Sequence, residues 1–334
     1  MRQRIAALTM VLLMVATNVY YCESADAFWP FTRRKSKESA AGQVSKREKR
    51  AVAAVPVGLV PGNPPALYWK ASGQPKAALL CLHELGLHSG VFDDLGKRMS
   101  AQGVAVYSID LRGFGGWQEM KGPEAKMDLD KTLADVKGSV EYIRKLQSDI
   151  PVFVLGEAMG GALALQAAAQ FPDLIAGVIS AAPGGDHFKT AANYMTIGTK
   201  VATLRANKDS GYSETLMEMA TPKEDLRESF KKDSDVRLDL TPRELMACQF
   251  FMYKTKKFAK QIKNTPVMIV HGEKDGESNA EGSEKVYKAL STQKKQYVTV
   301  ADGDHYVFED TKVSDKAFEA AISWIDTHTA GAGP

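Results

Sequence analysis

The sequence predicts an α/β protein: a mostly parallel sheet flanked by helices, with a helical lid inserted late in the fold. Two observations carry this. Short runs rich in Val, Ile and Leu alternate with amphipathic helical patterns from Pro65 onward, and one long stretch, 186–240, breaks that rhythm. Composition agrees with a folded domain, at 44% hydrophobic and 25% charged residues over 334 positions.

In chain order, the first 27 residues read as a secretory signal. Arg2 and Arg4 precede an apolar run over 5–16, and Ala25-Asp26-Ala27 fits a small-x-small cleavage site. That run is short for a bilayer span of about 20 residues. Residues 28–60 read as a basic flexible tether. Between Arg33 and Arg50 eight Lys/Arg face two Glu, with few large apolar residues to bury. The chain's net charge of +3 therefore resides in the tether, and the domain itself, 61–334, is no basic nucleic-acid surface. The expected location is exported, whether periplasmic, extracellular or envelope-associated. The tether offers weak contact with anionic lipid or wall polymer.

Strands are expected at 66–69, 77–83, 104–111, 151–157, 174–182, 266–272 and 296–301. Helices are expected at 91–102, 128–147, 159–170, 280–290 and 315–328. Within the lid, 194–204, 214–220 and 223–231 carry helical patches, and 242–260 reads as one helix returning to the sheet. Cys81 and Cys248 read as two buried free thiols. The chain has no CxxC, no HExxH and no dense His/Cys cluster, so neither a metal nor another cofactor is expected.

The informative segment is Gly156-Glu157-Ala158-Met159-Gly160-Gly161, where a buried strand turns directly into a helix. This is the strand–turn–helix context of a nucleophile elbow, with alanine at its centre. Further motifs are Leu82-His83-x-x-Gly86-x-His88-Ser89, Asp110-x-Arg112-Gly113-x-Gly115, Val270-His271-Gly272-x-x-Asp275 and Gly303-x-His305. Together they resemble the monoacylglycerol lipase and lysophospholipase branch of the α/β-hydrolases, grouped with the serine aminopeptidase S33 domain. The resemblance implies an α/β-hydrolase fold and carboxylic ester hydrolysis without a cofactor. It implies that Asp275 is the triad acid, that His305 is the general base, and that the backbone N–H groups of Leu85 and Met159 form the oxyanion hole.

Two departures stand against that pattern. Ala158 has no oxygen to attack an ester, which closes the acyl-enzyme route. Glu84 follows His83 where the family has glycine, and its carboxylate opposes negative charge in the oxyanion hole unless it turns to solvent. Glu157 is expected to point away from the elbow tip. His83, His88 and His271 are expected to brace loops, as are Asp110 and Arg112. Two readings follow. One is a secreted serine ester hydrolase carrying an inactivating substitution at 158. The other is a pseudohydrolase that binds an acyl ester or another small apolar ligand under the lid.

Overall fold

The computed structural model describes residues 54–58, 64–120, 122–184 and 213–329. The signal region, most of the tether and the first helical patch of the lid lie outside the described residues.

Eight strands form one sheet in the order β1-β2-β4-β3-β5-β6-β7-β8. They are β1 (Ala54–Gly58), β2 (Pro65–Trp69), β3 (Ala77–Leu82), β4 (Val104–Ile109), β5 (Val152–Glu157), β6 (Gly177–Ala181), β7 (Val267–Gly272) and β8 (Lys295–Val300). β1 and β2 pair antiparallel with their neighbours, and every other ladder is parallel. β3, β4, β5, β6 and β7 are buried along their whole lengths, which is why they read as unbroken apolar runs. β1 is a strand that sequence reasoning placed inside the tether. Its Ala-Val-Pro-Val-Gly is short and holds a proline, which suits a sheet edge and gives no period-two signal.

Among the described residues the helices are α1 (Asp93–Ala101), α2 (Leu129–Leu146), α3 (Met159–Gln170), α4 (Ser213–Ala220), α5 (Glu224–Lys232), α6 (Pro242–Tyr253), α7 (Thr255–Gln261), α8 (Ala280–Ala289) and α9 (Asp315–Thr329). α1 and α9 cover one face of the sheet through Leu95, Met99, Ala321 and Ile325. α2, α3, α6, α7 and α8 cover the other through residues such as Val136, Leu163, Leu245, Phe258 and Val286. Cys81 lies in the first apolar layer and Cys248 in the second, and both are free thiols. The expected single helix over 242–260 is two, because the chain tightens at Lys254. There the amides of Lys257 and Phe258 both turn back to the Lys254 carbonyl, and the Thr255 hydroxyl donates to the Met252 carbonyl.

No helix among the described residues is long and apolar enough to cross a membrane. Helices α4 and α5 belong to the lid. Met217, Ala220, Leu226 and Phe230 pack with Leu87, Val236 and Tyr306 into a small apolar cluster of their own.

Candidate active site

The elbow has the backbone its sequence foretells. Ala158 sits at φ 44°, ψ −107° between β5 and α3, a conformation that L-residues rarely hold. It is pinned from both sides. Its N–H donates to the Ala181 carbonyl at 2.9 Å, and its carbonyl accepts from Ala162 N–H at 2.9 Å. The glycines are steric necessities. A β-carbon on Gly160 would lie 1.9 Å from the Leu82 carbonyl oxygen, and one on Gly156 would lie 2.2 Å from the Gly160 carbonyl.

Asp275 and His305 come together from the loops after β7 and β8. His305 Nδ1 lies 2.8 Å from Asp275 Oδ2. The other carboxylate oxygen accepts from the amides of Glu277 and Ser278, each at 2.8 Å. Burial would raise the Asp275 pKa, but the His305 charge and the hydrogen bonds from the His305 ring and the Ser278 hydroxyl win and hold it well below the usual carboxylate range. Burial would lower the His305 pKa, yet the carboxylates of Asp275, Glu84 and Glu277 push it well above the ordinary 6.5. His305 is fully buried. Its Nε2 faces Glu84 Oε1 at 3.3 Å and Glu277 Oε2 at 4.0 Å.

Glu84 therefore does not turn to solvent. It is 4% exposed and presents its carboxylate to the nitrogen that would deprotonate a nucleophile. Leu85 follows it in the loop after β3, and Met159 opens α3 directly after the elbow. Leu85 also lines the pocket beside the site.

Sequence reasoning missed how the elbow is tied to the histidine loop. Glu157, fully buried, points away from the elbow tip as expected. Its Oε1 accepts from Val307 N–H at 2.6 Å, and its Oε2 accepts from Phe308 and Glu309 N–H, each at 3.0 Å. Glu309 Oε1 in turn accepts the Glu84 N–H at 2.8 Å. One carboxylate chain thus locks three loops in register. Burial pushes Glu157 up to about 8, and burial and the neighbouring Glu157 push Glu309 up as well. No motif marks this chain, since its links span 84 to 309 in sequence.

His83, His88 and His271 brace loops, as expected. His83 Nδ1–H donates to the Glu84 carbonyl at 2.6 Å, while its Nε2 accepts Leu111 N–H at 2.9 Å. Burial lowers its pKa to about 4, so the ring is neutral. His88 Nδ1 accepts Gly90 N–H, and its Nε2 meets Asp233 at 3.2 Å. His271 Nδ1 contacts Ser283 Oγ at 3.0 Å. Asp110 accepts the amides of Ser89 and Gly116, and Arg112 forks onto Asp135.

A small pocket opens beside the site. Leu216, Met217, Leu240 and Leu245 supply apolar walls, while Glu84 and Glu277 line it as well. The lid meets the histidine loop through Tyr306, which packs on Phe230, through Lys223, which pairs with Asp304 and Asp310, and through two hydrogen bonds. His305 N–H donates to the Ala220 carbonyl at 2.9 Å, and Thr221 Oγ1 donates to Asp304 at 2.5 Å.

Sheet order, elbow and the acid–histidine pair define an α/β-hydrolase. The pattern of the serine aminopeptidase S33 family matches residues 73–312, and the chain belongs to that family. It is 24% identical over 284 residues to human monoglyceride lipase, covering 80% of this chain and 88% of that protein. A mouse monoglyceride lipase is 33% identical over 117 residues, which is only 38% of its length. Among solved structures, a Paleococcus ferrophilus monoacylglycerol lipase superposes with a TM-score of 0.65 at 20% identity, covering 79% of this chain and 98% of that one. A Bacillus coagulans carboxyl esterase superposes at 0.68 and 16% identity, covering 83% and 98%.

Proposed function

We propose that this chain is an exported pseudohydrolase of the monoglyceride lipase type, which binds an acyl ester or another small apolar ligand without serine turnover. The observation that carries the reading is the nucleophile's seat. Residue 158 is alanine on a fully formed elbow, and Glu84 stands 3.3 Å from His305 Nε2. A methyl group cannot form an acyl-enzyme. Glu84 also competes for the imidazole that a serine would need.

Several features support retained binding. The elbow keeps its strained backbone, Asp275 keeps His305 oriented, and an apolar-walled pocket adjoins them. Monoglyceride lipases among its relatives point to an acyl glycerol as the ligand class. The signal-like start and basic tether support export and weak attraction to anionic lipid or wall polymer. The site's chemistry calls on no organic cofactor.

Titration with a monoacylglycerol below its micellar concentration tests the reading. The expected result is saturable binding with no fatty acid released above buffer. Release that saturates with substrate, or the absence of saturable binding, would contradict it.

A further inference from the structure

We propose that Glu84, Glu277 and His305 form a binding site for a divalent transition-metal ion. These residues come from the loop after β3, the loop after β7 and the loop after β8, and all three are buried. One donor atom from each lies within 4.8 Å of the other two. Around an ion held at about 2.0–2.2 Å, neighbouring ligands stand roughly 3–3.5 Å apart. The 3.3 Å between His305 Nε2 and Glu84 Oε1 already fits that edge. The 4.0 Å to Glu277 Oε2 needs a small side-chain adjustment.

Three further features point to a cation. First, His305 presents Nε2 to the site while its Nδ1 is held by Asp275 at 2.8 Å. That is the carboxylate–histidine arrangement that orients a metal-bound imidazole. Second, apart from Glu157 and Glu309, whose raised pKa values favour their neutral forms, three buried carboxylates gather around His305: Glu84, Asp275 and Glu277. Such a concentration of negative charge is costly unless a cation or protons offset it. Arg237, the arginine on the same pocket, is committed to Glu244 through two 2.7 Å contacts. Third, Glu84 and Glu277 both line the pocket, so the site has an entry path.

One nitrogen and two carboxylate oxygens suit zinc, cobalt, manganese or iron, and give too few oxygens for a calcium cage. The sequence hid the site because its ligands lie 193 and 28 residues apart, outside any motif spacing.

The test is calorimetric titration of the chelator-treated full chain with zinc, with the optical spectrum of the cobalt-loaded protein as a second readout. The expected result is one ion per chain with submillimolar affinity or better. Glu84→Gln and Glu277→Gln should each weaken it at least tenfold. Asp275→Asn, which removes the orienting carboxylate, should weaken it about 10–100-fold. His328→Ala, on α9, should leave it unchanged. If Glu84→Gln fails to fold, Glu277→Gln and the cobalt spectrum decide. Absence of zinc binding, loss of it in His328→Ala, or full affinity in Glu277→Gln would each overturn the proposal. Because it reads metal affinity alone, the test is independent of whether the pocket also binds an acyl ligand.

Discussion

At Glu157 a single carboxylate accepts three consecutive main-chain amides, those of residues 307 to 309. Removing it strands buried donors, each worth about 1–3 kcal/mol when left unpaired. Glu157→Ala should therefore lower stability by about 3 kcal/mol or more, read as a fall in the thermal midpoint. Glu157→Gln keeps one acceptor oxygen and should cost less. An alanine variant as stable as the parent would show that the loop finds other partners. Asp275 and His305 were legible in sequence because each follows a strand end in the order acid then histidine. The roles of Glu84, Glu157, Glu277 and Glu309 were not. A carboxylate's meaning here depends on which distant loop it meets, and only the folded chain brings 84 beside 309 and 305.

Among the elements, the β5–α3 junction is the least tolerant. Its steric demands were readable from Gly156 and Gly160 alone, since any β-carbon there collides with backbone. Gly160→Ala should cost about 3 kcal/mol or prevent folding, measured by denaturant unfolding. A near-neutral result would mean that α3 can withdraw from β3. Helix α6 gives a milder case. Thr241 and Glu244 form a reciprocal capping box at its start, and Pro242 takes the first position. Thr241→Ala should lose about 1 kcal/mol. The strands were legible because central parallel strands are continuous apolar runs. The edge strand β1 was not, because one flank carries too little apolar pattern to separate it from linker. The break between α6 and α7 was also hidden, since 242–260 keeps a helical pattern across Lys254.

Over the whole molecule, buried charge makes stability depend on pH in a definite sense. Glu157 is raised from 4.5 to about 8, and His305 is raised above 6.5. A raised folded pKa stabilises fully below the unfolded value and is lost as pH climbs through the folded one. Asp275 is depressed below 3.8, so its contribution holds above that value and is lost as pH falls through the folded one. The thermal midpoint should therefore peak at about pH 4, between the unfolded values of Asp275 and Glu157, and decline as pH climbs toward about 8. A midpoint that rises from neutral to alkaline pH would contradict this charge arrangement.

The central claim is that serine chemistry is absent because the nucleophile is gone and Glu84 holds the imidazole. Intact-mass spectrometry after exposure to a fluorophosphonate tests it most directly. The parent chain should gain no adduct, and Ala158→Ser alone should label slowly. Ala158→Ser combined with Glu84→Gly should label fastest, at residue 158. An adduct on the parent chain, or equal labelling of the single and double variants, would contradict the account.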